Sequence, residues 1–133
     1  MQTQPYDVIV CGGGPGGIAA AVGAARLGVR TLLIERYGFL GGGATAMLVN
    51  PFMRYTAGKK QIIFGVLQDI IAELEAMGAY GAPRQAGAFD TEAFKLVAEQ
   101  LCLKAGVQVL YHAFITDVTV DAAGCIQEVE VAT

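Results

Sequence analysis

Charge is scarce in this chain: only 16% of its 133 residues are Asp, Glu, Lys or Arg, against 54% apolar ones. The net charge is −3, no basic run occurs, and Lys59-Lys60 is the densest cationic point, which argues against nucleic acid as a partner. Histidine is limited to His112, and the three cysteines, Cys11, Cys102 and Cys125, are too widely spaced for a metal-ligand pattern or a CxxC redox pair. No metal site is therefore expected. No paired acid and base and no activated nucleophile stand out, so no catalytic residue is assigned. A lone histidine at a strand end reads as structural. The cysteines read as reduced packing residues, Cys102 on the apolar side of a helix and Cys125 at the opening of a strand.

A signal peptide is not expected either, because residues 1–7 carry no basic side chain. Residues 8–25 are uncharged and long enough for a membrane span, yet they hold six glycines and Pro15. That stretch divides into a short β-branched run and a small-residue helix, so no membrane partner is expected and the cytoplasm is the default setting. Long polar tracts are absent too, which excludes a disordered chain. The length suits one compact domain with a core of its own. The apolar balance suits a domain that buries surface against more protein.

What is present begins with a β-branched run at residues 6–11, expected to be a strand covered on both faces. Residues 15–27 predict an alanine-rich helix stopped by Gly28, and residues 30–35 a second buried strand. Residues 36–60 form a long glycine-rich and aromatic loop, of a length that is more often functional than idle. Ile63, Val66, Leu67, Ile70, Ile71, Leu74 and Met77 recur at helical spacing before Gly78. After an irregular link at residues 79–88, Asp90 caps a helix to about Ala105, with Phe94, Val97, Leu101 and Ala105 inward and Gly106 as terminator. Strands follow at residues 107–111, 115–120 and 125–131, the last two joined by a turn at residues 121–124 as an antiparallel hairpin. The order predicts an α/β fold, a Rossmann-like parallel sheet with flanking helices plus an antiparallel hairpin.

The first strand runs straight into Gly12-x-Gly14-x-x-Gly17. Here Gly12 permits a tight turn, Gly14 lets a pyrophosphate approach the backbone, and Gly17 lets the helix lie close on the sheet. Amides at the helix start, aided by the helix dipole, would hold phosphate charge. Glu35 ends the second strand, where an acid accepts ribose hydroxyls and repels a 2′-phosphate, so a dinucleotide other than NADP is implied.

Three blocks, YDVIVCGGGPGGIAAAVGAARLG, TLLIERYGFLGGGATAMLVNPF and FDTEAFKLVAEQLCLKAGVQVLYHAFITDV, resemble FAD-dependent oxidoreductases of the glutathione-reductase-type fold. The likeness is greatest to the branch shared with fumarate reductase and succinate dehydrogenase flavoproteins. The resemblance implies that Gly12, Gly14, Pro15 and Gly16 meet the FAD pyrophosphate, Glu35 the adenosine ribose, and Arg36 the adenine end. It places Gly42, Gly43, Ala44 and Thr45 along the pyrophosphate, ribityl or flavin side, and the Ile115 backbone against adenine. Tyr37-Gly38-Phe39-Leu40 stands where covalent relatives carry an attachment histidine, which implies non-covalent FAD. The loop has no redox cysteine pair, which argues against thiol–disulfide chemistry.

Residues 1–133 are thus expected to be the N-terminal part of a FAD-binding domain, with a substrate domain absent and the rest of the site on further chain or on a complementing one. The small-molecule substrate is specified by no motif, although Arg54 and Tyr55 could face it or the flavin, or simply belong to a solvated loop. Two other readings stand beside this one. The same glycines and Glu35 suit an NAD-binding module of a dehydrogenase. An open sheet edge suits a non-catalytic fragment that forms homo-oligomers or assembles with other chains.

Overall fold

The computed structural model describes residues 5–81 and 87–133. Three parallel strands form the sheet: β1 (Val8–Cys11), β2 (Thr31–Ile34) and β5 (Gln108–Leu110), in the order β1-β2-β5. Helix α1 (Pro15–Arg26) connects β1 to β2, and α2 (Val66–Ala76) and α3 (Thr91–Ala105) lie between β2 and β5. Between them, β3 (Thr56–Ala57) and β4 (Lys60–Gln61) make a minimal hairpin within the long loop. The expected α/β class and the closing antiparallel hairpin, β6 (Phe114–Val120) with β7 (Ile126–Ala132), are both present.

One face of the sheet carries the core. Val10, Leu33 and Val109 stand in register across the three strands. They pack with Ile18 and Val22 of α1 and Phe94, Val97 and Leu101 of α3. Because α1 and α3 touch each other, both lie on that same side. The other face presents Ile9 and Leu32, which are only half-buried. A parallel sheet is ordinarily covered on both faces.

Local chemistry explains the helix ends. The Asp90 carboxylate accepts from the amides of Glu92 at 2.8 Å and Ala93 at 2.9 Å, satisfying two of the first-turn donors of α3. Helix α2 begins three residues later than the periodicity of residues 63–77 suggests, because Gly65 adopts φ +70°. Ile63 therefore stays outside the helix, its amide bonded to the Tyr55 carbonyl and its side chain exposed. Met77, the last residue of that series, is the exposed C-cap. The long loop is anchored by the Phe52 ring, 4.4 Å from that of Phe89, and by the Asn50 amide on the Phe89 carbonyl. Of the irregular link at residues 79–88, positions 82–86 lie outside the described residues, and its ends meet in a bridge between Tyr80 and Phe89.

Candidate functional site

The C-terminal ends of β1 and β2 meet the start of α1, and the sequence between them shapes a cradle. Gly12 turns the chain with φ +97°, a conformation that side chains disfavour. A Cβ on Gly17 would overlap the Gly12 carbonyl oxygen, so only glycine lets α1 start this close to the turn. By contrast, a Cβ on Gly14 or Gly16 would meet nothing within 4 Å. Those two positions look onto open space above the helix N-terminus. Helix α1 has no side-chain cap and no acidic residue in its first turn, and Pro15 occupies the first helical positions. Its first amides and positive dipole end thus suit an anion, and no neighbouring carboxylate caps them.

Glu35 does more than the sequence suggests. Only 4% exposed, it accepts from the Gly13 amide through Oε2 at 2.6 Å and from the Tyr37 amide through Oε1 at 2.9 Å. Its own backbone binds Leu110 and Ala113. The acid therefore ties the glycine turn to the loop after β2, with one lone pair per oxygen still available to accept a further hydrogen bond. The Gly41 amide donates to the Gly13 carbonyl at 2.8 Å, folding the glycine cluster back over the same turn. There a Cβ on Gly42 would stand 2.9 Å from the Gly14 Cα.

Beside Glu35 opens a cleft of about 180 Å³ lined by Cys11, Gly12, Ile34, Glu35, Arg36, Ala113, Phe114 and Ile115. It brings together Gly12, Glu35, Arg36 and Ile115, which are far apart in sequence. Ala113 and Phe114 complete the wall and were not foreseen. The Ala113 amide bonds the Glu35 carbonyl, a pairing with no sequence signal beyond proximity to Ile115. Cys11 is exposed on this wall and Cys125 is exposed beside the last turn, so the packing role expected of both is corrected; Cys102 is buried as expected. Burial pushes the Cys102 thiol up to about 11, with the Glu99 charge adding to it.

Other expected residues sit differently. Ala44 and Thr45 turn their side chains inward, 6% and 2% exposed, and the Thr45 hydroxyl donates to the Leu40 carbonyl. Only backbone atoms of that segment remain to face a ligand. The Tyr55 and Tyr80 hydroxyls are 2.6 Å apart, which commits Tyr55 to the protein. Arg54 is exposed with φ +56°. His112 donates its amide to the Tyr37 carbonyl, a structural role.

A larger groove of about 500 Å³ lies between α1, α2 and α3, at the far end of α1 from the glycine turn. Its charges neutralise one another as Arg26–Asp69 and Lys104–Glu73 pairs, each 2.8 Å long. The cradle and its adjoining cleft, rather than this groove, carry the free donors. Among the described residues no group of three or more His, Cys, Asp or Glu could hold a metal ion, and no helix is long and apolar enough to cross a membrane.

Comparison with known proteins agrees with this geometry. Dihydrolipoyl dehydrogenase of Trypanosoma brucei brucei is 60% identical over 39 residues, 29% of this chain and 8% of that protein. Soluble pyridine nucleotide transhydrogenase of Erwinia tasmaniensis is 55% identical over 45 residues, 34% of this chain and 10% of that protein. These matches span a small fraction of the relatives' own length. Among solved structures, THI4 of Thermovibrio ammonificans superposes with a TM-score of 0.62 at 24% identity, over 96% of this chain and 47% of that one. A geranylgeranyl bacteriochlorophyll reductase-like protein of Thermoplasma acidophilum gives 0.58 at 24%, over 95% of this chain and 34% of that one. Both likenesses show a shared fold. The sequence profile of FAD dependent oxidoreductases matches residues 7–133, nearly the whole length, and the chain belongs to that family.

Proposed function

We propose that residues 1–133 are the N-terminal part of a FAD-binding domain and hold the ADP half of non-covalent FAD. The observation that carries this reading is the conjunction of an uncapped helix start, open above Gly14 and Gly16, with a cleft that gathers Gly12, Glu35, Arg36 and Ile115. In it, the backbone of Gly12 to Gly16, with Pro15 at the first turn, takes the pyrophosphate. Glu35 accepts the adenosine ribose, and Arg36 and the Ile115 backbone take the adenine end. Gly42 and Gly43, with the backbone of Ala44 and Thr45, continue the surface toward the ribityl chain and flavin.

When bound, FAD supplies the electron-transfer chemistry. This chain's own residues bind and orient the nucleotide end. The small-molecule substrate would be met mostly by chain beyond the cradle, which the greater length of the relatives supports. The outer edge of β1 has no strand partner among the described residues, which also suits further chain. The cytoplasmic setting read from the sequence belongs to the same proposal.

Purified chain should take up FAD on titration, showing visible flavin absorbance that is released on denaturation. A chain that stays colourless with added FAD but binds NADH saturably at micromolar concentration would overturn this reading for the NAD one. Oligomers that bind neither would favour the assembly fragment.

A further inference from the structure

At the mouth of the cleft, Arg36 is held by a set of contacts that reaches across to α3. Its guanidinium carbon lies 5.5 Å from the centroid of the Tyr37 ring. That ring stacks on Phe39 with centroids 5.6 Å apart and planes inclined by only 8°. Over Phe39, in turn, sits the Lys95 ammonium, 4.2 Å from the ring centroid. The Lys95 side chain is only 25% exposed, and its ammonium also pairs with Glu92 at 2.7 Å. A cation over an aromatic face gains most where water is partly excluded, as it is here.

The backbone beneath the rings is pinned as well. The Tyr37 amide donates to Glu35 and its carbonyl accepts from the His112 amide at 3.3 Å. Gly38 then lies against the His112 imidazole, where a Cβ would stand 2.9 Å from both Cε1 and Nε2. With Tyr37 fixed at its amide, its carbonyl and its ring, the surface under the Arg36 guanidinium is fixed too. Arg36 itself is exposed and would otherwise sample many rotamers, each of which a bound ligand has to exclude.

We propose that the Tyr37–Phe39 ring pair, clamped from α3 by Lys95, is a positioning device that presents Arg36 to the adenine end of the dinucleotide. Lys95 touches no ligand; it acts through Phe39, Tyr37 and Arg36. The inference rests on the FAD reading above and assigns part of its affinity to a residue 59 positions away from Arg36 in sequence.

The test is calorimetric titration of the chain with FAD and with ADP, and competition by inorganic pyrophosphate, which lacks adenine. Lys95→Met and Phe39→Leu should weaken FAD and ADP by about two- to fivefold, the scale of one cation–π contact. Pyrophosphate should compete equally in every variant. Lys95→Arg, which keeps a cation over the ring, should restore affinity. Glu92→Gln, which removes only the ion pair, should match the parent chain. Unchanged ADP affinity in Lys95→Met would overturn the inference and leave FAD binding standing. An equal loss for pyrophosphate would overturn it as well, reducing Lys95 to general stability. Failure of the parent chain to bind either FAD or ADP would remove the FAD reading itself. Lys95 lies outside the buried core, so its variants keep the inference testable even if Phe39→Leu unfolds.

Discussion

The Gly13 amide donates a 2.6 Å hydrogen bond to Oε2 of Glu35, joining the glycine turn to the end of the neighbouring strand across 22 residues of sequence. The other carboxylate oxygen holds the Tyr37 amide. Two backbone donors on one buried acid mean that the turn is braced before any ligand arrives. Glu35→Gln leaves one acceptor oxygen and turns an NH2 group toward an amide. It should cost about 1.5–3 kcal/mol of stability, the scale of a hydrogen bond to a charged group. Amide hydrogen exchange should show Gly13 losing protection in the absence of cofactor. FAD affinity should fall roughly tenfold or more, and the fall should persist with a FAD analogue lacking the adenosine 2′ and 3′ hydroxyls. A loss seen only with natural FAD would reduce Glu35 to a ribose contact.

Gly14 and Gly17 should part company. A Cβ on Gly14 meets open space, whereas one on Gly17 meets the Gly12 carbonyl. Gly14→Ala should leave the thermal midpoint within a few degrees, since surface substitutions stay within about 0.5 kcal/mol, while abolishing FAD uptake by filling the cradle. Gly17→Ala should lose stability first, by about 1–3 kcal/mol as overpacked sites do. Equal effects of the two on binding and melting would contradict the division.

Alkaline conditions should weaken the fold. Burial raises the Cys102 thiol from 9.0 to about 11 in the folded chain, so the native state keeps its proton longer than the unfolded one. The contribution is full below pH 9 and declines as pH rises through 9 to 11. Tyr111, pushed upward by burial and by its hydrogen bond to Glu99, acts in the same direction at still higher pH. Denaturant titrations at pH 8 and 10.5 should show the drop, and Cys102→Ala should flatten it. In the native chain at neutral pH, maleimide should label Cys11 and Cys125 and spare Cys102; labelling of Cys102 at the same rate would contradict its burial.

Asp90 should show its worth as a cap. Removing its carboxylate with Asp90→Ala leaves the Glu92 and Ala93 amides unpaired at the start of α3. Urea unfolding should register a loss of about 1 kcal/mol.

The parts of the fold legible in the chain were those with local causes. Val8–Cys11 and Thr31–Ile34 read as strands because β-branched runs suit a buried sheet, and α3 because Asp90 and Gly106 bound an apolar period. The start of α2 misled because hydrophobic period is blind to φ: Ile63 fits the pattern, yet Gly65 bends the chain before the helix begins. The inward turn of the Ala44 and Thr45 side chains was not legible either. A glycine cluster announces a close approach without saying which side chains turn inward.

The sequence by itself determined the glycine turn between β1 and α1, since Gly12 and Gly17 answer to steric rules that act over a few bonds. It also determined the end of β2 as the place for an acid. Only the tertiary structure decided that this acid braces Gly13 as well as facing the cleft. Only it brought Ala113, Phe114 and Ile115 to that wall, and set Lys95 over Phe39. Those contacts join segments 22 to 100 or more residues apart, and spacing along a chain encodes no distance between strands until the sheet aligns them.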